Sequence, residues 1–334
     1  MDSTVQSTNI MLRALVEPSS RTRDTVARLS EEFASRRTAD VGAAVNHDFA
    51  AVAEAQRDLD IAESLRFAAL AGQRVAQSAA RSWDRISAEV ENLRSAVQPH
   101  VAGGQYPRAD SVLAASGAGL EAAITALNAR VDGRAVFAGG RADANAVAPP
   151  ADVLADLTAI AGAATDVGDL RTQVSAYFFG AGDFATNRVT PAAAEGFGIQ
   201  LGRGETASFG QTPLDDESRT VLHAFGELFA LSSSAFGDTQ DARDYYALQG
   251  ATIVAGAADA AVNQRATVGT LEARVASALE TIDADRFAAE RRRDDLIGID
   301  PFETGTRLQD ETARLESIYT LTARLGRLRL TDYL

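Results

Sequence analysis

Apolar residues near both ends of the chain recur at intervals of three and four positions, or at their sum of seven. They form three sets: Trp83, Ile86, Val90, Leu93 and Val97; Val268, Leu271, Val275, Ala278 and Ile282; Leu308, Leu315, Ile318, Leu325 and Leu328. This spacing places each set along one face of an α-helix, with Arg, Asp, Glu, Gln and Ser on the outer faces. The pattern predicts long helices that pack side by side.

The first of these helices is predicted to be very long. Residues 46–98 contain no Pro and a single Gly, Gly72, so an uninterrupted helix would extend for about 80 Å. Pro99 and a pair of glycines after it mark its end. A second helix, over residues 109–131, can then fold back along the first.

The middle of the chain has a different pattern. Apolar residues alternate with other residues at Phe197, Ile199 and Leu201, and a Gly-Arg-Gly turn follows, which is typical of a hairpin. The aromatic and glycine residues of 177–189 indicate further short strands and turns, and 216–234 is predicted to be a helix. The predicted fold class is therefore mainly α: a long antiparallel helical bundle or coiled-coil rod from both termini, with a small α+β domain inserted in the middle.

Charge separates the same middle segment from both ends. Residues 131–250 hold 16 acidic and 7 basic side chains, whereas the net charge is only −2 over 1–130 and −3 over 251–334. The whole chain of 334 residues has a net charge of −14, and all 32 of its basic residues are Arg. Such an acidic chain lacks the basic surface that binds nucleic acid or anionic lipid, so neither partner is expected.

Other features of the sequence exclude several classes of protein. The chain has no Cys, which excludes disulfides and thiolate metal sites. No apolar run approaches the roughly 18 residues that a membrane helix needs. The first residues have neither the cationic nor the apolar segment of a secretory signal, so we expect no cleaved signal peptide.

Residues that could support catalysis are scattered. His47, His100 and His223 are far apart in the sequence, and none has the spacing of a metal-ligand motif. The glycines of 196–204 lack the third Gly of the dinucleotide-binding fingerprint, and a hairpin turn explains them better. Trp83 lies on a helical seam and is predicted to be a core residue. We therefore expect no enzyme activity and no catalytic, cofactor-binding or metal site.

The terminal helices carry apolar faces that one chain cannot easily cover. If these helices pair with each other and with copies in neighbouring subunits, the chain can form a polymer. The predicted subunit-assembly seam consists of Leu15, Val26, Leu29, Phe33, Leu308, Leu315, Ile318, Leu325 and Leu328.

Two stretches resemble a known family. Residues 299–309 (IDPFETGTRLQ), continued to 328–334 (LRLTDYL), resemble the C-terminal end of bacterial flagellin-family proteins. Residues 129–143 (ARVDGRAVFAGGRAD) are similar to the segment N-x-x-x-G-x-Y-[IV]-F-x-G of the hook-associated members of that family. Its marker residues here are Gly133, Phe137, Gly139 and Gly140. Ala129 replaces the usual Asn, and Arg36 stands where the family has Gly in an N-terminal turn.

The resemblance covers residues 1–143 and 245–334 and implies a structural axial protein of the flagellum. Such a protein is exported unfolded by the flagellar type III apparatus, without a cleaved signal peptide, and assembles as a ring between hook and filament. The implied partners are copies of the chain itself, flagellin, the hook-side hook-associated protein and an export chaperone. The implied layout has an inner coiled-coil domain (1–40 with 305–334), a helical rod (41–143 with 245–304) and an acidic α+β outer domain (144–244).

Two alternatives remain open at this point. The chain could be filament flagellin, which shares the terminal heptads, although the family's Ser-Gly turn and its Asp-Asp-Pro-Ala run are missing here. The other alternative is an enzyme or sensor built on a helical bundle. The sequence contains no carboxylate–histidine spacing of the di-metal bundle type that would favour it.

Overall fold

The computed structural model describes residues 2–101, 109–139, 141, 143–190 and 197–331, and most of this part of the chain is helical. Its α-helices are α1 (Asp2–Ser35), α2 (Val41–Ala44), α3 (Ala50–Val101), α4 (Ala109–Leu127), α5 (Pro150–Ala163), α6 (Val167–Phe178), α7 (Asp216–Ser233), α8 (Gln240–Tyr245), α9 (Ala251–Ile297) and α10 (Pro301–Thr331). Two π-helical segments are Phe184–Arg188 and Tyr246–Gly250. The predicted mainly α fold class is therefore confirmed.

Helix α3 spans 52 residues and agrees with the prediction for 46–98. It begins a few residues late because Asn46 and His47 adopt left-handed conformations, with φ of 50° and 62°, that belong to a turn. The carboxylate of Asp48 then accepts a hydrogen bond of 3.1 Å from the backbone N–H of Ala50. This bond satisfies one of the free donors at the start of the helix.

The strands of the described residues form two antiparallel hairpins. Strand β3 (Phe197–Gly202) pairs with β4 (Glu205–Phe209), and the register has a bulge between Gln200 and Gly202. This hairpin is the one that the alternating sequence predicted. The predicted helix over 216–234 is also present, as α7.

The other hairpin was not predicted. Strand β1 (Arg130–Val131) occupies the end of the stretch predicted as helix 109–131, and β2 (Arg134–Ala135) follows it; α4 ends at Leu127 instead. Asp132 and Gly133 have φ of 51° and 79°. Two successive residues with positive φ form the type I′ turn that joins two-residue hairpins, and an Asp-Gly pair favours it.

The short strands predicted within 177–189 are wrong. Helix α6 continues to Phe178, and residues 184–188 form the first π-helical segment. Phe178 and Phe184 are fully buried, with ring centroids 5.1 Å apart. The aromatic residues that suggested strands are thus buried between helical segments, which shows that packing can override β-propensity.

The chain divides into two compact units. The terminal unit comprises the described residues of Met1–Glu63 and Asp283–Leu334, and the central unit is Ser64–Ile282. The segment 144–244 belongs to the central unit, together with residues 64–143 and 245–282. Each unit contains parts of both α3 and α9.

The central unit has a close-packed core around Trp83. This side chain is fully buried, and its Nε1 donates a hydrogen bond of 3.0 Å to Oε1 of Gln211. Helices α4 and α7 approach closely at Gly119, where an added Cβ would lie 2.2 Å from the ring of Phe225. The core therefore joins helices of the predicted rod to helix α7 of the acidic middle segment.

Candidate assembly surface

The predicted seam residues of the N-terminal helix lie on α1, in the terminal unit. Leu29 and the neighbouring Thr22 are buried and Val26 is partly buried, whereas Phe33 is 46% exposed. Steps of four, three and four residues keep these side chains on one face of the helix. Helix α1 thus contributes a continuous stripe that is incompletely covered.

The C-terminal part of the seam lies on α10, which packs against α1. Thr304 is buried at one end of its inner face, and Leu308, Leu315 and Ile318 follow at heptad spacing. These three apolar residues are only partly buried. The structure therefore brings the predicted residues of the two termini together, but one chain does not enclose them.

Two contacts fix the relative direction of α1 and α10. The guanidinium of Arg23 donates a hydrogen bond of 2.9 Å from Nη2 to the hydroxyl oxygen of Tyr319. Further along, a Cβ added to Gly305 would lie 3.2 Å from the ring of Phe33. Because later residues of α1 meet earlier residues of α10, the two helices run antiparallel.

Backbone hydrogen bonds join the segment that follows α1 to the last residue of α9 and to the segment after it. The N–H of Thr38 donates to the carbonyl of Ile297 at 2.9 Å, and the N–H of Ile299 donates to the carbonyl of Arg36 at 3.2 Å. Arg36 has φ of 56°, the left-handed conformation that glycine adopts without strain. The backbone here thus adopts a glycine-like turn although the residue is Arg.

Large apolar side chains in the terminal unit remain in solvent. Phe302 is 85% exposed on α10, and Tyr319 and Leu321 are 45% and 51% exposed on the same helix. Helix α10 thus exposes large apolar side chains at both described ends of its length.

Several predicted residues cannot be placed in this surface. Leu15, Leu325 and Leu328 lie on α1 and α10, but their side chains lie outside the part of the chain that the structure describes. Gly140 of the marker segment also lies outside the described residues.

The rest of the marker segment belongs to the core of the central unit. Gly133 forms the β1–β2 turn, and Gly139 also has a positive φ, of 61°. Phe137 is fully buried, with its ring centroid 6.3 Å from that of Trp83 and 5.8 Å from that of Phe209, both edge-on. Edge-to-face arrangements of this kind stabilise aromatic cores. The marker residues thus hold the hairpin against α3 and β4.

A polar cluster that the sequence did not predict lies around Glu227 of α7, which is 3% exposed. The hydroxyl of Tyr245 donates to its carboxylate, Nε of Arg171 lies 3.4 Å from Oε1, and Nε2 of His223 lies 3.1 Å from Oε2. Burial lowers the pKa of His223, against the opposing effect of the Glu227 charge. The partners come from α6, α7 and α8, so the cluster ties three helices together.

A second ion pair holds α5 to the first π-helical segment. Arg188 binds Asp156 through two parallel hydrogen bonds of 2.7 and 2.8 Å, and the hydroxyl of Tyr177 donates to the same carboxylate at 2.8 Å. The bonds from Arg188 hold the pKa of Asp156 below its usual value. These residues are 21 and 32 positions apart, so no local spacing could have indicated the contact.

Within the described residues, no group of three or more His, Cys, Asp or Glu side chains could hold a metal ion. None of the described helices combines the length and the apolar character needed to cross a membrane. Comparison with known proteins finds no family model that matches this chain and no significant match to a curated protein.

Proposed function

We propose that this chain is a structural axial protein of the bacterial flagellum that forms the hook–filament junction and templates the polymerisation of flagellin. The support comes first from the sequence, through the similarity of residues 129–143 and 299–334 to hook-associated members of the flagellin family. The mainly helical fold agrees with this proposal. In it the chain acts by assembly and has no catalytic role.

The observation that carries the proposal is the antiparallel pairing of α1 with α10 along a face that stays partly open. Leu308, Leu315 and Ile318 have heptad spacing but keep part of their surface in solvent. Full burial of such residues is worth about 2–5 kcal/mol each, as Leu→Ala changes in cores show. Terminal helices of neighbouring copies would supply the missing contacts, and a ring repeats that gain in every subunit.

The proposed arrangement in the flagellum follows from charge and connectivity. Residues 1–40 and 305–334 would form an inner coiled coil, with 41–143 and 245–304 as a helical rod around it. The acidic segment 144–244 would face outward, because like charges repel less at a large radius, where solvent screens them beyond about 8 Å. Copies of the chain, flagellin, the hook-side hook-associated protein and an export chaperone are the proposed partners, and the flagellar type III apparatus is the proposed export route.

Filament flagellin is the second candidate, because the terminal heptads are common to both proteins. Quantitative mass spectrometry of isolated flagella, together with immunogold labelling, separates the two. A junction protein is a trace component, and gold particles collect at a single point between hook and filament. Label along the whole filament, with the chain as a major component, would identify flagellin and reject the junction role.

A further inference from the structure

Two phenylalanines are exposed next to each other in the terminal unit, where the end of α1 meets the start of α10. Phe33, near the end of α1, is 46% exposed, and Phe302, in the first turn of α10, is 85% exposed. A Cβ added to Gly305 would lie 3.2 Å from the ring of Phe33. Gly305 follows Phe302 by three residues, so the two are neighbours on the surface of α10. The two aromatic rings therefore belong to one surface.

The turn after α1 brings two arginines to the same surface. The N–H of Ile299 donates to the carbonyl of Arg36 at 3.2 Å, and Arg37 forms an antiparallel β-bridge with the residue before Ile299. Ile299 precedes Phe302 by three residues, so both arginines extend from the backbone beside the first turn of α10. We call Phe33, Arg36, Arg37 and Phe302 the corner.

The two guanidinium groups of the corner are not used within the chain. Arg36 and Arg37 are both exposed, and among the described residues neither side chain has a carboxylate within ion-pair distance or a hydrogen-bond partner. The nearby Arg307, in contrast, pairs with Glu303 at 2.6 Å. A carboxylate from another molecule can therefore pair with the corner without breaking an ion pair that the chain already makes.

Acidic residues around the corner limit the kind of ligand that fits. Asp40, Asp300 and Glu303 are exposed close to it along the chain. An extended anionic surface, such as nucleic acid or a membrane of acidic lipids, would meet these carboxylates as well as the arginines and be repelled by them. A short segment with one or two carboxylates beside an apolar side chain matches the arginines and the rings and avoids the surrounding acids.

We propose that the corner docks a short acidic segment of a partner protein. A large apolar side chain of that segment packs on Phe33 and Phe302, and its carboxylates pair with Arg36 and Arg37. The rings supply the apolar contact, while each guanidinium can hold a carboxylate through two parallel hydrogen bonds and so orient the segment. This docking role goes beyond the proposed junction role and does not depend on it.

Fluorescence anisotropy with the purified full-length chain tests the proposal. The probe is a labelled helical peptide of Glu, Leu and Ala, with leucines at every third or fourth position, and the matched peptide has Lys in place of every Glu. The chain has a net charge of −14, which favours the basic peptide non-specifically. We expect tighter binding of the acidic peptide, weakened as salt rises from about 0.05 M to about 0.5 M because exposed charges are screened.

The aromatic half of the corner is tested with Phe302→Ala. This variant should bind the acidic peptide at least about tenfold more weakly, as loss of a central anchor does at other interfaces. Phe287→Ala is the matched control, because Phe287 is 60% exposed on α9 in the same unit, and it should leave the affinity unchanged. Circular dichroism should show the same helix content in both variants.

The charged half is tested with the double variant Arg36→Gln and Arg37→Gln. Exposed ion pairs are individually weak, so the affinity at low salt should fall about threefold and most of its salt dependence should disappear. The matched double variant is Arg57→Gln and Arg81→Gln, at exposed positions of α3 outside the corner. It should keep both the affinity and the salt dependence.

Tighter binding of the basic peptide, or binding of the acidic peptide that is insensitive to Phe302→Ala, would overturn the proposal. Two other occupants would also overturn it. Phosphatidylglycerol vesicles that bind through Phe302 when the peptide does not would indicate a lipid ligand. Dimerisation in analytical ultracentrifugation that is lost in Phe302→Ala, again without peptide binding, would indicate a second copy of the chain.

Discussion

At the scale of single residues, Glu227 shows how the central unit accommodates a buried charge. Removing a carboxylate from water costs several kcal/mol unless partners compensate. Tyr245, Arg171 and His223 surround Glu227 and come from three helices. The imidazole is itself largely buried, so its protonation should affect the stability of the unit.

We predict that the central unit loses stability as the pH falls below about 6.5, the pKa of an unfolded histidine. Burial lowers the pKa of His223 in the folded state, so the unfolded state binds more protons between the two pKa values. The loss therefore begins near the unfolded pKa and levels off below the folded one. Urea unfolding at several pH values, followed by the fluorescence of the single residue Trp83, measures this dependence.

The variant His223→Gln should remove that part of the pH dependence. His47→Asn is the control, because His47 is exposed in the terminal unit and Asn tolerates its positive φ. The control should keep the wild-type slope. An unchanged slope in His223→Gln would show that this histidine does not control the acid response.

At the scale of helices and strands, the terminal pair α1–α10 has an inner face and an outer face with different expected roles. Leu315 lies on the inner face and is partly buried, and Ala313 lies on the outer face of the same helix. A charge on the inner face meets apolar neighbours, whereas a charge on the outer face remains in water. The two faces can therefore be tested with the same substitution.

We predict that Leu315→Asp abolishes incorporation of the chain into flagella, while Ala313→Asp is incorporated normally. Both variants should retain the wild-type fluorescence of Trp83, since that residue belongs to the other unit. Western blots of isolated flagella report incorporation, and fluorescence reports folding. Normal incorporation of Leu315→Asp would disprove the assignment of the seam.

The sequence predicted the helices and the hairpin whose residue patterns repeat over a few positions. Heptad spacing predicted α3, α9 and α10, and strict alternation at Ile199 and Leu201 predicted the β3–β4 hairpin. The same reasoning missed the β1–β2 hairpin, since the residues of its first strand were assigned to the end of the predicted helix 109–131, just before the turn at Asp132 and Gly133. It also missed the π-helical segments, which depend on contacts rather than on composition.

The assembly surface on α1 and α10, like the fold, could be predicted only in part from the sequence. The apolar stripes on the two terminal helices are visible as heptads, and the structure pairs them. How far each seam residue is buried was not predictable, because it depends on the register between α1 and α10. The contact of Arg23 with Tyr319 joins residues 296 positions apart, and no local pattern encodes it.

At the scale of the whole molecule, each unit has its own buried residues, and the central unit holds the larger core. Within it, Trp83, Phe137 and Phe225 are fully buried. A segment with its own hydrophobic core can fold independently. The ends of the chain should therefore not be needed for folding of the central unit.

We predict that the fragment Ser64–Ile282, expressed alone, folds cooperatively and keeps Trp83 buried. Thermal unfolding should show one transition, and the emission of Trp83 should match that of the full chain. Trp83→Phe gives the fluorescence blank for the fragment and for the full chain. Solvent-exposed emission from the fragment would show that the terminal unit is required for this core.

If the chain joins the hook to the filament, as we propose, deletion of its gene should leave the hook bare. Electron microscopy of the deletion strain should show hooks without filaments, and immunoblots should find unpolymerised flagellin in the medium. Expression of the wild-type chain from a plasmid should restore filaments. Filaments of normal length and number on the deletion strain would disprove the junction role.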